Sequence, residues 1–270
     1  MLIVFNQMIS LFLLMLTGYL ANRFGVIDKT FESKVSRFIV NISLPATILN
    51  AVTGSDMPHD QEMLPIFIAA VSIFLVAHVV CHFIQKIIRW NPTYELMLNY
   101  SNLGFMGIPI ILALYPEQGG IYIAVFTVID QLVLWTIGLD LTSPPDSQTS
   151  VSLSKRLIKM VNPATIAITT GVFLVLTGIK LPAAVVNALA KTGSAASPLA
   201  MIYLGGVFCY IKIRNYLKCR EIYATVLIKM VLLPIAFYTV MHHIPSIDRS
   251  IAVTLSVLCA LPSMASIAMI

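Results

Sequence analysis

One fixed offset of 153 residues relates five glycine, proline and threonine positions in the two halves of this chain. Glycine and proline restrict or release the backbone more than other residues do, so they mark points where a fold has special local geometry. Their agreement at one offset predicts an internal duplication. The matched pairs are Thr17 and Thr170, Gly18 and Gly171, Gly25 and Gly178, Pro45 and Pro198, and Pro109 and Pro262.

Long apolar stretches fill most of both copies. The chain is 58% hydrophobic and 11% charged, whereas soluble domains carry about 25% charge. Each stretch is long or apolar enough to cross roughly 30 Å of hydrocarbon, and a helix satisfies its own backbone there. We therefore expect an all-α polytopic membrane protein with nine spans. They are Leu2–Leu20, Val35–Val52, Met63–Ile84, Leu96–Leu114, Ile121–Leu139, Pro163–Ile179, Ala195–Tyr210, Ile222–Val240 and Ile251–Ile270.

The two copies are predicted to have opposite orientations in the membrane. The first repeat, residues 1–139, holds five spans, and an odd number inverts whatever follows. A polar linker over residues 140–158 separates it from the second repeat, residues 159–270. Residue 270 corresponds to residue 117, so the second repeat holds four spans. The counterpart of Gln118–Leu139, a tenth helix, is expected but missing from this sequence.

The distribution of basic residues predicts the topology. With an external N-terminus, the internal loops carry 13 of the 17 basic residues, which is the positive-inside bias of membrane proteins. This pattern explains the basic loop Lys212–Arg220 as a cytoplasmic loop in water rather than as a nucleic-acid site. The 13 are Arg23, Lys29, Lys34, Arg37, Lys86, Arg89, Lys155, Arg156, Lys159, Lys212, Arg214, Lys218 and Arg220.

Enzyme and cofactor motifs are absent from the sequence. It has no P-loop, GxSxG, HExxH or CxxC pattern, and its four cysteines lack the spacing of a metal site. We expect neither catalysis nor a cofactor. We expect no resident metal ion either.

The fourth stretch, NYSNLGFMGIPIILAL, carries the sharpest local motif. Asn102, Gly104, Gly107 and Pro109 fall within eight residues of a predicted span. Proline removes a backbone donor and glycine lowers the cost of unwinding, so a helix break is expected here. Freed backbone groups at such a break can bind a ligand, and the following half-helix presents a positive end. The alternative is a proline kink with glycine packing.

A second break is expected at Pro262 and Ser263, at the repeat offset. Matched broken helices in inverted repeats are typical of secondary transporters, with a substrate site formed where the breaks meet. We therefore predict a secondary carrier that binds substrate through Asn102, Gly104, Gly107, Pro109, Pro262 and Ser263. A channel or a non-transporting membrane receptor remains the alternative.

Other polar groups within the spans need a role. Asp130 and Gln131 lie in the middle of the fifth span, where an acid is either a coupling-ion site or a hydrogen-bonded structural group. Lys229 lies near the start of the eighth span, and snorkelling to the inner surface is favoured slightly over anion binding. His78 and His82 could form a metal pair, but packing or water contact is favoured because their span contains no acid.

The segments around the matched prolines are expected to line a scaffold cavity. Asn41 and Pro45 contribute from the first copy and Pro198 from the second. Short amphipathic pieces precede both prolines, at Lys29–Arg37 and Pro182–Lys191. Each is expected to lie at the membrane interface or to extend the following helix.

These motifs resemble one transporter family along nearly the whole chain. SNLGFMGIPIILALY resembles the fourth helix of the auxin efflux carrier (PIN-like) family, and ISLPATIL resembles its second. NPATIAITTG, SPLAMIYLGG and ALPSMAS are similar to its sixth, seventh and ninth helices. The short central linker is similar to bacterial members.

The resemblance implies a fold and a substrate class. The fold would be a five-plus-five inverted repeat like the bile-acid symporter fold, with broken helices four and nine crossing between a scaffold and a transport domain. The substrates would be small organic anions, such as mono- or dicarboxylates, moved by alternating access. Asn102 and Pro109 match the family's NxxxxGIP positions. The expected partners are the substrate and the lipid bilayer of the cell membrane, with a homodimer through the scaffold helices and no nucleic acid.

Overall fold

The computed structural model describes residues 2–54, 63–88, 92–115, 119–133, 161–244 without 213 and 215, and 248–263. All regular structure in these ranges is helical, and one isolated antiparallel bridge joins Ser101 to Ser263. The predicted all-α class agrees with this. The predicted linker over residues 140–158 lies outside the described residues, as does Lys155.

The helices follow the apolar stretches closely. In the first half they are α1 (Leu2–Arg23), α2 (Lys29–Phe38), α3 (Leu44–Gly54), α4 (Met63–Ile88), α5 (Pro92–Asn99), α6 (Ile108–Leu114) and α7 (Gly119–Val133). In the second half they are α8 (Pro163–Thr177), α9 (Ala183–Ser194), α10 (Ala196–Phe208), α11 (Arg220–Leu227), α12 (Leu233–His242) and α13 (Arg249–Ala260). Three π-helical segments join them, π1 (Ile39–Ser43), π2 (Leu103–Gly107) and π3 (Ile228–Leu232).

Each π segment ends two residues before a proline. Pro45 follows π1, Pro109 follows π2 and Pro234 follows π3. Proline has no backbone N–H and its ring clashes with the carbonyl one turn earlier. One wide turn relieves that clash while the chain keeps its direction, and such turns are frequent at functional sites. The amphipathic piece before Pro45 therefore runs through π1 into α3 and extends that helix, whereas α9 is separated from α10 by a turn at Ala195.

By length and composition, two continuous helical stretches within the described ranges could cross a membrane unaided. They are Lys29–Thr53, which runs through π1, and Arg220–His242, which runs through π3. Shorter apolar stretches lie within other helical segments, at Phe74–Ile87, Phe105–Leu114, Pro163–Val175 and Arg249–Ala260. The ninth predicted span begins as expected, but its helix ends at Ala260.

The first helix of each half packs against a helix of the other half. In α1, a side chain on Gly18 would overlap the backbone carbonyl of Ile202 in α10. In α8, a Cβ on Gly171 would lie 2.9 Å from Val52 and 3.4 Å from Leu49, both in α3. Gly18 and Gly171 are 153 residues apart, and so are Leu49 and Ile202. The two close contacts are thus related by the same offset as the sequence repeat.

The ends of α1 and α8 also match at that offset. Gly25 has φ 73° and Gly178 has φ 68°, so both adopt the left-handed conformation that glycine allows without a steric penalty. Gly178 caps α8 in this conformation, and its N–H donates to the Val175 carbonyl at 3.2 Å. The same residue type therefore has the same local geometry in both halves.

Two apolar cores share the interior. The first, which we call the scaffold core, joins α1, π1, α3, α8 and α10, with Leu11, Ile48 and Ala200 among its buried members. The second, the mobile-side core, joins α4 to α7 with α12 and α13, with Ile111, Phe126 and Leu255 among its members. The interrupted helix lies between them, because π2 contributes Phe105 to the scaffold core and Leu103 to the mobile-side core.

Candidate functional site

The fourth helix is interrupted at Tyr100–Asn102. Helix α5 ends at Asn99, and Asn102 has φ −75° and ψ 60°, outside the helical region. Helix α13 ends at Ala260, and Leu261 is extended with ψ 147°. The Asn102 N–H donates to the Pro262 carbonyl at 2.9 Å, beside the bridge between Ser101 and Ser263. The two predicted breaks are therefore in direct backbone contact.

Side chains from the second half satisfy the carbonyls that the interruption leaves free. In a regular helix the Met97 and Leu98 carbonyls would accept from the N–H groups four residues on. Here the Ser263 hydroxyl donates to the Met97 carbonyl at 3.0 Å. The Lys229 ammonium donates to the Leu98 carbonyl at 2.6 Å.

The π segment after the break is tied to the scaffold core in the same way. The Ser197 hydroxyl of α10 donates to the Phe105 carbonyl at 2.6 Å. Ser197 directly precedes Pro198, the repeat partner of Pro45. The interrupted helix is thus anchored to α10 on one side and to α13 and π3 on the other.

A cavity of about 40 Å³ lies at the end of α5. Its polar lining comes from Asn99, Ser101, Asp130 and Lys229, and the rest is apolar. A cavity needs about 10–15 Å³ of such volume for each water molecule, so about three waters would fit. An organic carboxylate is larger than this space. The cavity is closed to such a ligand in this conformation.

Asn99, which lines this cavity, and Asn102, three residues further on, contain buried polar atoms without hydrogen-bond partners. These atoms are Nδ2 and Oδ1 of Asn99 and Oδ1 of Asn102, judged among the described residues. A buried unpaired polar atom costs about 1–3 kcal/mol, so its retention needs a reason. A ligand or ordered water that hydrogen-bonds to these atoms would supply one.

Gly107 has a packing role. Its N–H donates to the Asn102 carbonyl at 3.0 Å within π2. A Cβ at this position would lie 3.0 Å from the Leu258 side chain and 3.1 Å from that of Leu261. Glycine lets α13 approach the interruption closely. Gly104 lies within π2, and Pro109 lies in the first turn of α6.

Asp130 and Lys229 line the same cavity from α7 and π3. Asp130 is 1% exposed and Lys229 is 3% exposed. Gln131 follows Asp130 in α7. The slight preference for a snorkelling Lys229 is wrong, because its ammonium group is inside the protein and bonded to the end of α5. Asn99, Ser101 and Lys229 are the site residues that sequence reasoning missed or assigned elsewhere.

The two histidines of α4 have partners on the neighbouring element. His82 Nδ1 lies 3.0 Å from Glu95 Oε1 of α5, and the Glu95 side chain is 4% exposed. His78 packs edge-on against the Tyr100 ring with centroids 6.4 Å apart. The span of His82 contains no acid, but the next helix supplies one. Within the described ranges, no group of three or more His, Cys, Asp or Glu side chains could hold a metal ion.

The predicted scaffold residues separate into two places. Asn41 and Pro45 line an open groove of about 780 Å³ between α3, α8 and α9. The Asn41 side-chain amide donates to the Arg37 carbonyl at 2.8 Å. Pro198, by contrast, is half-buried near the start of α10 and is not among the residues that line this groove.

Comparison with known sequences identifies the family. The profile described as "Membrane transport protein" matches residues 3–270, which is nearly the whole chain. The chain belongs to this membrane transport protein family. The resemblance of its motifs to the auxin efflux carriers is confirmed by this match. Membership establishes a membrane transport protein and accounts for the apolar composition.

Two relatives bear transporter names. The "Uncharacterized transporter YfdV" of Escherichia coli (strain K12) is 23% identical over 256 residues, covering 87% of this chain and 77% of the relative. The "Uncharacterized transporter MJ1031" of Methanocaldococcus jannaschii is 25% identical over 206 residues, covering 72% of this chain and 65% of the relative. The family description and the names of both relatives are those of transport proteins.

Proposed function

We propose that this membrane transport protein is a secondary carrier of small organic anions, such as mono- or dicarboxylates, that works by alternating access. The observation that carries the proposal is the backbone contact between two interrupted helices, where the Asn102 N–H donates to the Pro262 carbonyl. Broken helices that meet between two packed units are the usual arrangement of a substrate site in secondary transporters.

The proposed architecture is a five-plus-five inverted repeat in which helices four and nine cross. The contacts of Gly18 with Ile202 and of Gly171 with Leu49 support it, since the offset of 153 residues relates Gly18 to Gly171 and Leu49 to Ile202. The matching left-handed glycines at the ends of α1 and α8 support it as well. In this proposal the scaffold core stays fixed and the mobile-side core moves.

The proposed substrate site comprises Asn102, Gly104, Gly107, Pro109, Pro262 and Ser263. Its unpaired amide oxygen on Asn102 and the nearby amide of Asn99 favour a ligand with both acceptors and donors. Asp130 and Gln131 are the proposed coupling-ion site, since a buried acid beside a substrate cavity can bind a cation or a proton. Asn41, Pro45 and Pro198 belong to the proposed scaffold.

Counterflow in proteoliposomes tests this function. Vesicles loaded with unlabelled malate, malonate or indoleacetate should accumulate the same radiolabelled anion transiently, with a saturable rate. Protein-free vesicles treated identically provide the control. Uptake that never saturates would favour an anion channel. Binding without counterflow would favour a non-transporting membrane receptor.

We place the carrier in the cell membrane with an external N-terminus, as the bias of basic residues indicates. A homodimer through the scaffold helices is part of the same proposal. Crosslinking in native membranes would test the dimer separately from transport.

A further inference from the structure

Lys229 is a basic side chain buried inside the protein, where the interrupted helix ends. It belongs to π3, one of the three widened turns, and its side chain is buried in the cavity that Asn99 and Asp130 also line. A charge within a membrane segment is costly, so such residues usually have a function. The position therefore needs an explanation beyond packing.

The acceptor of Lys229 exists only because helix four is broken. The helical partner of the Leu98 carbonyl would be the Asn102 N–H, which instead donates to Pro262. Lys229 donates to that vacated carbonyl at 2.6 Å. The carbonyl belongs to the last turn of α5, which is the negative end of the half-helix and attracts a cation. The interruption thus frees the Leu98 carbonyl, and Lys229 takes the place of its helical donor.

The Leu98 carbonyl is a weak partner for this ammonium. An ammonium group has three N–H donors, and this carbonyl uses one of them. A neutral carbonyl offsets only part of the desolvation cost of a buried charge, and Asp130, the acid that lines the same cavity, is itself buried. A carboxylate forms shorter and stronger hydrogen bonds with an ammonium than a neutral carbonyl does. A carboxylate that reached the cavity would therefore compete well for Lys229.

We propose that Lys229 binds the carboxylate group of the transported anion, and that this carboxylate replaces the Leu98 carbonyl as its acceptor. The inference rests on the proposed function and adds the charged ligand of the substrate. Since the cavity of about 40 Å³ is too small for an organic anion, the exchange requires π3 and the end of α5 to move apart. Release of the Leu98 carbonyl then accompanies substrate entry.

The test is equilibrium binding to the purified full-length chain in lipid nanodiscs. The probe is whichever of malate, malonate and indoleacetate the wild type binds, with its uncharged amide as competitor. In Lys229→Met, affinity for the carboxylate should fall about 10- to 100-fold, the effect of losing a hydrogen bond to a charged group. The preference for carboxylate over amide should disappear. Lys229→Arg should keep that preference, and the exposed Lys180→Met serves as the control.

The double variant Lys229→Met with Asp130→Asn guards against misfolding, because it removes the basic and the acidic side chain that line the cavity, so neither is left as an uncompensated buried charge. It should bind carboxylate and amide with similar affinity. Unchanged carboxylate affinity and unchanged preference in a folded Lys229→Met or in the double variant would overturn the inference. Wild-type protein that neither binds nor exchanges any of the three anions would instead refute the proposed function, so the two failures are distinguishable.

Discussion

Asn102 uses its backbone and its side chain for different purposes. Its N–H holds the contact with Pro262, while its carbonyl accepts from Met106 and Gly107 at 3.0 Å each. Its side-chain oxygen is buried without a hydrogen-bond partner among the described residues. The backbone thus maintains the interruption, and the side-chain oxygen is the atom that we propose for ligand binding.

Removing that side chain should affect binding and spare stability. Asn102→Ala should weaken anion binding by about 1–3 kcal/mol, the cost of losing a buried polar contact. Thermal stability should stay close to that of wild type, because the lost oxygen has no protein partner. Binding and thermal unfolding should be measured together, with the exposed Asn187→Ala as a matched control. A variant that unfolds early but binds normally would assign Asn102 a structural role instead.

At the residue scale, the sequence predicts the roles of residues that act on the local backbone. It predicts less well the roles of residues that depend on tertiary contacts. Pro109 and its neighbouring glycines indicated the interruption because their effect on a helix is local. The role of Lys229 depends on where the end of α5 lies, and a position near the start of a span is equally compatible with snorkelling. The acid that pairs with His82 comes from another helix, so inspection of a single span could not find it.

At the scale of elements, the interrupted helix consists of two half-helices joined by an irregular turn and π2. Proline at position 109 prevents the second half from continuing regularly into the first, and the wide turn of π2 adapts to it. Both half-helices are bonded to different parts of the second repeat. The interruption is therefore a joint between the scaffold core and the mobile-side core.

Pro109→Ala should impair transport more than binding. Alanine favours a regular helix by about 3 kcal/mol relative to proline, so the segment should gain helical bonds at the expense of the contact with Pro262. Counterflow rate and equilibrium binding measured on the same preparation test this. Pro163→Ala is the control, because Pro163 begins α8 directly after its N-cap residue Asn162, whereas Pro109 follows π2 within a continuous helical segment. Equal losses in both variants would contradict the prediction.

The close contact between α1 and α10 should resist even one added carbon. In Gly18→Ala, the new methyl would meet the backbone of Ile202, which cannot move aside as a side chain can. Overpacking of this kind costs about 1–3 kcal/mol. Thermal unfolding in detergent should show the loss, with Ser10→Thr adding one carbon on the exposed side of the same helix. An unfolding temperature equal to that of wild type would argue against tight packing there.

Most of the helices could be predicted from apolar length, whereas the π segments could not. Pro45 and Pro234 lie inside apolar runs, where a kink and a widened turn have the same sequence pattern. Whether a proline produces a kink or a widened turn depends on how the neighbouring helices pack against the additional residue in the turn. The end of α13 at Ala260 lies directly before the break predicted at Pro262 and Ser263, because proline acts locally on a helix even where the apolar run continues past it.

At the scale of the whole molecule, the distribution of basic residues predicts the orientation. In a variant without native cysteines, Lys212→Cys should be protected from an impermeant thiol reagent in intact cells and should react after permeabilisation. Lys180→Cys, in the loop after α8, should react without permeabilisation. Both lysines are exposed in the structure, so accessibility depends on the side of the membrane. Reversed labelling would invert the topology.

The packing of α1 against α10, a helix of the other half of the chain, has a consequence for biosynthesis. Helix α1 emerges first, yet the surface around Gly18 fits Ile202 of α10. At about 5–20 residues per second, the ribosome needs on the order of 10–40 s to reach that residue. During this interval the glycine face of α1 is left to lipid or to the insertion machinery. A chain whose synthesis stops before α10 therefore leaves its first helix without the backbone surface that Gly18 contacts.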